Sequence, residues 1–413
     1  MNAAIIAVGS EMLTPTRIDT NSLYLTEKLN ALGVEVVQKL VMGDHRARLE
    51  ASIGFCLEHA EILIISGGLG PTEDDLTRES VAAATGRELL FDETIVSWLE
   101  ARFASFGRKM AAINKRQAYL VAGGEALANP NGTAPGQWIP LEGGKIVILV
   151  PGPPGEMKPL FEREVLPRLE KMLPKQAIAT LTLRIAGMGE SDVDALTAPV
   201  YKRYENPVTT ILAKAGDITL HFRAQCPEMS EAERLVKEVG DQIRPLLGDK
   251  IYSDDGSPLE QAVLRLLENR GETVAVAESL TGGMVGSRFA AVPGASKSFV
   301  GGFLVYTNEQ KVGLLGVDAS LIAEHTEVSE AVAIAMAHGA LQKTGASWAV
   351  SLTGYAGPDG GTDTNPVGTV FVGVASRSGV SRAQRFRFPA GDRERTRQFA
   401  TQAGLNQLRL DLM

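Results

Sequence analysis

The sequence predicts an α/β fold: two Rossmann-like, three-layer α/β/α domains joined by a small α+β domain. Short apolar runs alternate with helical segments in both halves of the chain, which is typical of parallel strands with crossover helices. Several of these runs end in glycine and hydroxyl residues, as strands do at a sheet edge that binds ligands. The 413 residues suffice for two to four domains, each with its own core. We place the domains at 1–170, 171–254 and 255–413.

The composition is that of a globular protein, with 44% hydrophobic and 22% charged residues. A net charge of −8 argues against a nucleic-acid partner, which would need a basic face. Cys56 and Cys226 are far apart and show no metal-ligand spacing, so we expect neither a disulfide framework nor a zinc site, and a cytoplasmic protein. The N-terminus lacks a signal-peptide pattern, and no apolar run approaches the ~18 residues of a membrane span, so no membrane association is expected.

The first half opens with a predicted βαβ unit. An apolar run at 3–8 predicts a buried strand that delivers Glu11 to its carboxyl end. The predicted elements that follow are a helix at 21–32, a strand at 34–40, a helix at 48–59 and a strand at 62–65.

A glycine-rich loop, SGGLGPTEDDLT at 66–77, follows the last of these strands. Its glycines permit close approach of a ligand, and we expect Thr72 to cap a helix whose first turn carries acids. Acids in a first turn also suit the helix dipole, and that explanation stays open. Acids behind such a loop fit a Mg²⁺–pyrophosphate site, because the cation bridges carboxylates and phosphate oxygens. The candidate residues of this loop are Gly67, Gly68, Gly70, Thr72, Asp74 and Asp75.

A second loop of the same kind, PGPPGEM at 151–157, follows a predicted strand at 145–150. It puts Glu156 in the first turn of a helix. Because the carboxyl ends of parallel strands share one edge of a sheet, Glu156 is expected beside Asp74 and Asp75, where the three acids can share a ligand.

The motifs GSEML, DTNS, GGLGPTEDDLT and PGPPGEM resemble the molybdopterin-binding-like domain of the CinA (competence/damage-inducible protein A) family over residues 1 to about 170. The resemblance implies hydrolysis of ADP-ribose with a divalent metal such as Mg²⁺, and a monovalent cation is a further candidate. It implies site roles for Asn21 and for metal ligands Asp74, Asp75, Glu11 and Glu156. Relatives of this fold bind or adenylylate molybdopterin, so a non-catalytic pterin- or nucleotide-binding module is the alternative.

The middle of the chain predicts a small α+β module. Its expected strands and helices lie at 180–185, 190–204, 217–224 and 230–247. It resembles the central, KH-like domain of the same family, but the glycine-x-x-glycine clamp for nucleic-acid backbone is not evident. A spacer or dimer contact is therefore the favoured role, and we expect a homodimer rather than an RNA-binding protein.

The stretch VAVAESLTGG at 274–283 predicts a strand, a tight turn and a helix that begins at Met284. A serine at such a junction lies at the carboxyl edge of a sheet, where outward N–H groups bind an anion or a developing oxyanion. Ser279 is thus a candidate nucleophile. The alternative is that Ser279 or Thr281 only caps the helix.

Three later segments bring further polar groups to the same predicted edge. They are Tyr306 at the end of a strand predicted at 303–306 with Lys311 on the next helix, Thr353 and Gly354 after a strand at 348–352, and Arg393 before a helix at 395–408. A lone tyrosine and a lone lysine are ordinarily a core ring and a solvated charge. Arg393 offers a planar fork for a phosphate.

The motifs AESLTGG, YTNEQK, SLTGYAGPDGGT, PVGTV and FPAGDRERTR resemble the C-terminal domain of CinA proteins and PncC-type nicotinamide mononucleotide (NMN) deamidases. The resemblance implies an amidohydrolase that uses no cofactor. Two positions depart from the family pattern, Tyr355 in the Thr-Gly loop and Asn365 before the PVG motif.

Amide hydrolysis needs a nucleophile, a base and donors for the oxyanion. No histidine lies in these motifs, so Lys311 is the expected base for Ser279, with Tyr306 orienting the pair or relaying the proton. Carboxamide and oxyanion recognition is expected from Thr353, Thr281, Gly282 and Gly354, and phosphate recognition from Arg393. A competence or DNA-damage scaffold remains an alternative for the whole chain, although it would need neither the serine nor the lysine.

Overall fold

The computed structural model describes residues 1–174 and 176–413. The chain divides into two compact units, 1–178 with 226–228, and 179–225 with 229–413. Each unit is described by itself below.

The first unit is built on a six-stranded sheet with strand order β2-β1-β3-β8-β7-β6. The strands of the unit are β1 Asn2–Val8, β2 Glu35–Met42, β3 Ile62–Ser66, β4 Leu89–Phe91, β5 Tyr119–Val121, β6 Glu125–Leu127, β7 Gly136–Pro140 and β8 Ile146–Val150. Of these, β4 and β5 form a separate two-stranded sheet. Its helices are α1 Asn21–Ala31, α2 Arg46–His59, α3 Thr77–Thr85, α4 Glu93–Ser105, α5 Pro154–Leu160 and α6 Leu166–Met172. The four strands β2, β1, β3 and β8 are parallel, β7 runs antiparallel to β8, and β6 runs antiparallel to β7.

Alternate residues of the parallel strands enter two different cores, because successive side chains point to opposite faces of a sheet. Ile5 and Ile64 pack with α1, α5 and α6 on one face. Ile6 and Ile65 pack with α2 and α3 on the other face. This two-sided burial gives the predicted three-layer arrangement.

The helix after the glycine-rich loop begins later than predicted. Helix α3 starts at Thr77, and Leu76 occupies its N-cap position. Thr72 is therefore not the helix cap, and Asp74 and Asp75 lie in a turn ahead of the helix rather than in its first turn. The predicted first-turn position of these acids is wrong for this reason.

The second unit contains a small four-stranded sheet, ordered β10-β11-β9-β12, and two helices. The elements are β9 Ala177–Ala186, α7 Glu190–Tyr201, β10 Val208–Lys214, β11 Asp217–Cys226, α8 Met229–Leu247 and β12 Ile251–Ser253. This part corresponds to the predicted α+β module. Buried residues of α8, among them Val236 and Ile243, recur at helical spacing.

The rest of the second unit is a five-stranded sheet, ordered β14-β13-β15-β16-β17, with helices on both faces. Its strands are β13 Val274–Glu278, β14 Phe299–Leu304, β15 Trp348–Gly354, β16 Thr369–Ser376 and β17 Ser381–Arg387. Its helices are α9 Leu259–Arg270, α10 Met284–Ala290, α11 Asn308–Leu315, α12 Ala319–His325, α13 Glu330–Thr344 and α14 Arg393–Leu412. Strands β14, β13 and β15 are parallel, and their carboxyl ends form one edge.

Two predicted boundaries at this edge are corrected. Strand β14 ends at Leu304, so Tyr306 lies in the loop after the strand rather than at its end. Helix α14 begins at Arg393 itself, because Asp392 caps it by accepting a hydrogen bond from the Arg395 N–H. None of the described helices is both long enough and apolar enough to cross a membrane.

Candidate functional site

The carboxyl edge of the C-terminal sheet carries a cavity of about 460 Å³. Six of the residues predicted for amide chemistry line it: Ser279, Tyr306, Lys311, Thr353, Gly354 and Arg393. Thr281 and Gly282, predicted as substrate-binding residues, do not line the cavity.

The turn that carries Ser279 is held by the residue before it. Glu278 is 1% exposed, and its carboxylate accepts hydrogen bonds from the N–H groups of Gly283, Val285 and Gly286 at 2.8–3.1 Å. These are N–H groups at the start of α10, which have no partner inside the helix. The expectation that Ser279 or Thr281 caps this helix is therefore wrong, and Ser279 is left for another role.

The Ser279 side chain is 8% exposed and forms no side-chain hydrogen bond with any described residue. Its backbone N–H donates to the Leu352 carbonyl at 3.0 Å, which fixes the serine to β15. A buried hydroxyl that opens onto a cavity and lacks a partner is free to act on a ligand.

The predicted oxyanion donors are partly corrected. The Gly282 N–H donates to the Ser279 carbonyl at 3.1 Å, so it is not available to a ligand. The N–H groups of Leu280 and Thr281 have no acceptor among the described residues, and Leu280 lines the cavity. The Thr281 N–H is therefore available as predicted, and the Leu280 N–H replaces that of Gly282.

The Gly354 N–H is a further available donor, for a reason that lies in the sheet. The next residue, Tyr355, donates its N–H to the Thr369 carbonyl at 2.9 Å. In an antiparallel ladder, alternate residues direct their N–H groups to opposite sides of the strand. The Gly354 N–H is therefore directed toward β13 rather than β16, and Ser279 directly follows the end of β13. It has no acceptor in the described part of the chain.

Arg397 of α14 fixes the same turn from outside. Its Nε donates to the Leu280 carbonyl at 3.0 Å and one Nη donates to the Thr281 carbonyl at 2.8 Å. Glu394 accepts from the other Nη at 2.7 Å and orients the guanidinium. Because the carbonyl and N–H of a peptide unit point in opposite directions, this contact turns the Thr281 N–H away from Arg397.

Lys311 is buried, with an exposure of 2%, on the wall of the cavity. Its amine donates to Asn308 Oδ1 at 3.2 Å. Burial lowers the pKa of Lys311, and the negative charges of Glu327 and Glu309 offset part of that effect. A lysine in this setting loses its proton more readily than one in water, as a general base must.

The structure corrects the predicted roles of Thr353 and Tyr306. The Thr353 hydroxyl donates to the Glu327 carbonyl at 2.7 Å, so its proton is not available to a substrate. The Tyr306 hydroxyl accepts a hydrogen bond from Arg393 at 2.7 Å, and no hydrogen bond joins it to Ser279 or Lys311 among the described residues.

Arg393 is the cation at the other end of the cavity. Its second Nη donates to the Gly357 carbonyl at 2.7 Å. Two contacts on a guanidinium with five N–H donors leave the group oriented and still able to bind an anion.

Glu278, Glu327 and Arg397 were missed by the sequence reasoning. Glu278 and Arg397 both lie inside motifs that were recognised, AESLTGG and FPAGDRERTR, so the signal was present in the sequence. Glu327 is positioned by contacts with Thr353 and Tyr355, which lie 26 and 28 residues further along the chain, so no local pattern predicts its place.

A second cavity, of about 700 Å³, lies at the carboxyl edge of the first unit's sheet. It brings together all but one of the residues predicted there: Glu11, Asn21, Gly67, Gly68, Gly70, Asp74, Asp75 and Glu156. Thr72 is not in its lining; its N–H and hydroxyl both donate to Asp75 Oδ2 instead, at 2.9 and 2.5 Å.

The glycines of the loop at 66–77 are required by the protein's own packing. A Cβ on Gly67 would lie 2.2 Å from the Val8 carbonyl oxygen, and one on Gly68 would lie 2.2 Å from Thr77 Oγ1. Both residues also have positive φ, +106° and +66°. Close approach of a ligand is therefore not needed to explain them.

No group of three or more His, Cys, Asp and Glu side chains close enough to hold a metal occurs in the described ranges. Asp75 is bonded to Thr72, and Glu156 accepts from Asn129 at 2.7 Å. Mg²⁺ is commonly bound by one or two carboxylates with substrate phosphates completing its shell, and the residues present fit that kind of site. Asn21 Oδ1, a buried oxygen without a partner in the described part of the chain, adds an oxygen ligand or an acceptor.

Three family models match the chain in sequence. They are described as "Probable molybdopterin binding domain" for residues 4–171, "Damage-inducible protein CinA KH domain" for 180–253, and "CinA C-terminal domain" for 256–412.

Relatives match this chain over nearly its whole length. A CinA-like protein of Solibacter usitatus is 54% identical over 409 residues, 99% of this chain and 98% of that protein. A CinA-like protein of Acidobacterium capsulatum is 46% identical over 416 residues, with both chains covered completely. A solved structure, of the protein CinA with unknown function from Thermoplasma acidophilum, is 31% identical and covers 39% of this chain and 95% of that one, with a TM-score of 0.37. The chain belongs to the CinA family, and its molybdopterin-binding-like, KH-like and C-terminal domains follow one another in that order.

Proposed function

We propose that the C-terminal domain is an amidohydrolase that converts NMN to nicotinate mononucleotide and ammonia. The observation that carries the proposal is the buried Lys311 in the same cavity as Ser279, whose hydroxyl has no partner in the described part of the chain. If Ser279 only capped a helix, no lysine would be needed in the same cavity. If Lys311 were only a solvated charge, it would not be buried.

In the proposed mechanism the neutral Lys311 amine takes the proton of the Ser279 hydroxyl as Oγ bonds to the carboxamide carbon. The oxyanion that forms accepts hydrogen bonds from the N–H groups of Leu280, Thr281 and Gly354. When the C–N bond breaks, the Lys311 ammonium returns its proton to the leaving nitrogen, and ammonia departs. A water then bonds to the acyl carbon of the Ser279 ester and passes a proton to the Lys311 amine. Lys311 returns this proton to Ser279 Oγ as the ester C–O bond breaks, which restores the serine, and the acid product loses its proton to solvent to leave as the carboxylate.

The substrate phosphate is assigned to Arg393. Its guanidinium is a planar cation that matches a phosphate, and its contacts to Tyr306 and Gly357 hold it at the cavity wall. Phosphate binding at this point would leave the nicotinamide ring free to reach Ser279.

The test is an assay of purified full-length protein with NMN, in which ammonia and nicotinate mononucleotide are both quantified. We expect the two products in equal amounts, with the rate unchanged by a chelator, because no metal takes part in the Ser–Lys chemistry. Absence of ammonia release would contradict the proposal.

For the first unit we propose hydrolysis of ADP-ribose to AMP and ribose 5-phosphate with a divalent cation. The supporting observation is one cavity of about 700 Å³ that holds Glu11, Asp74, Asp75 and Glu156 together. Asp74 and Glu11 would contact the cation, which supplies charge neutralisation for the pyrophosphate. The alternatives are a pterin- or nucleotide-binding module without turnover and a competence or DNA-damage scaffold, neither of which predicts AMP formation.

We also expect the protein to be a homodimer and to lack nucleic-acid affinity. Light scattering of the full-length chain tests the first expectation. A binding titration with single-stranded RNA, in which no binding is expected, tests the second.

A further inference from the structure

The cavity of the C-terminal domain contains a carboxylate that the proposed mechanism does not use. Glu327 lies between α12 and α13 and lines the cavity together with Lys311. No hydrogen bond or ion pair joins its carboxylate to the Lys311 amine among the described residues. Glu327 and Lys311 thus line one cavity without being bonded to each other.

The short segment that carries Glu327 is held in place by three side chains. The Thr353 hydroxyl donates to the Glu327 carbonyl at 2.7 Å, and the Tyr355 hydroxyl donates to Glu327 Oε1 at 3.1 Å. The Asn365 amide donates to the Val328 carbonyl at 3.1 Å. Tyr355 and Asn365 are the two positions that depart from the family pattern, and both contacts converge on this segment.

The backbone of the segment is strained. Thr326 has φ +67°, and it is the one residue other than glycine with positive φ in the described ranges. Such a conformation is unfavourable for a β-branched residue and persists where surrounding contacts enforce it, often beside a functional group. Here the contacts enforce the position of the Glu327 carboxylate.

The reaction itself suggests what a carboxylate does at this point. A primary carboxamide offers an N–H donor to a carboxylate, whereas the carboxylate product offers only acceptors. Two carboxylates that face each other without a proton repel, and this costs binding free energy. In its protonated form, Lys311 alone would favour the acidic product over the amide substrate.

We propose that Glu327 is the residue that discriminates the amide substrate from the acid product, by accepting a hydrogen bond from the carboxamide N–H and repelling the product carboxylate. Tyr355 is a positioning residue that fixes the Glu327 carboxylate. The inference rests on the proposed function, because it takes NMN and nicotinate mononucleotide as the two ligands.

The test measures binding of both ligands by calorimetry in a Ser279→Ala background, where no turnover occurs. Glu327→Gln keeps the size of the side chain and removes its charge. We expect the ratio of amide to acid affinity to fall at least ~10-fold, mainly because the acid binds more tightly. Tyr355→Phe should lower the ratio to a smaller extent, and Glu330→Gln, an exposed acid on α13 outside the cavity, should leave it unchanged.

An unchanged ratio in the Glu327→Gln protein would overturn the inference, as would an equal loss of affinity for both ligands, which a merely structural role predicts. Failure of the proposed function is seen separately, as absence of ammonia release by the protein with Ser279 intact. Circular dichroism of each variant shows whether the fold is kept.

Discussion

The amine of Lys311 and the amide oxygen of Asn308 lie 3.2 Å apart, on consecutive turns of α11. Asn308 is neutral, so it orients the amine without adding a negative charge that would retain the proton. Burial acts in the same direction and lowers the pKa of Lys311 below its ordinary value of 10.5.

This arrangement predicts the pH dependence of kcat/KM. The neutral amine is the base, so the rate should rise with pH as Lys311 loses its proton, with an apparent pKa below 10.5. Glu327 and Glu309 raise the pKa of Lys311, so Glu327→Gln should move the rising limb to lower pH. The measurement is initial ammonia release as a function of pH. If the rising part of the pH–rate profile moved to higher pH in this variant, the assignment of Lys311 as the base would be contradicted.

Replacement of the base tests the same assignment in another way. Lys311→Arg keeps the positive charge, but a guanidinium does not lose its proton in proteins. We expect ammonia release to fall by ~10²–10⁴ at every pH, the usual contribution of a general base. Near-wild-type turnover by this variant would show that another group accepts the proton.

The phosphate assignment predicts a difference between two substrates. Arg393→Ala should raise KM for NMN far more than KM for nicotinamide riboside, because only NMN carries the phosphate. Arg395→Ala, two residues along α14 and outside the cavity lining, is the matched control and should leave both KM values near wild type. Equal increases for both substrates would remove the phosphate role from Arg393.

The hydrogen bonds of Glu278 predict that this side chain stabilises the folded protein. Its carboxylate accepts three N–H groups at the start of α10, so Glu278→Ala leaves those donors without partners. We expect the free energy of unfolding in urea to fall by at least about 2 kcal/mol, together with ammonia release. Glu309→Ala removes an exposed acid in the first turn of α11 and should lower the free energy of unfolding much less. Equal losses in the two variants would show that Glu278 is not a structural anchor of the turn.

The two acids of the N-terminal loop should behave differently from each other. Asp75 Oδ2 holds Thr72, so Asp75→Asn weakens the loop as well as any metal contact. Asp74→Asn should abolish metal-dependent ADP-ribose cleavage without a change in thermal midpoint, and a chelator should have the same effect on the wild type. Release of AMP that persists in the chelator would contradict a metal site here.

The sequence predicts the layered fold and most of the cavity-lining residues because both depend on local patterns: apolar strands, glycine-rich turns and polar groups at strand ends. It does not predict which N–H groups remain available. The N–H of Gly282 donates to the Ser279 carbonyl, whereas the N–H of Gly354 is available because of its position in the ladder with β16. Glu327 is likewise positioned by contacts to distant residues, and the constraint on Gly67 comes from Val8 on a neighbouring strand. These features follow from tertiary pairing, which no single segment contains.

The most direct test of the account is ammonia release from NMN by the Ser279→Ala protein. Ser287→Ala, an exposed serine of α10 outside the cavity, is the control and should retain wild-type activity. The account predicts that Ser279→Ala folds normally, still binds NMN and loses deamidation by at least ~10³, as expected when a covalent nucleophile is removed. Ammonia release near the wild-type rate in this variant would contradict the central claim that Ser279 is the nucleophile.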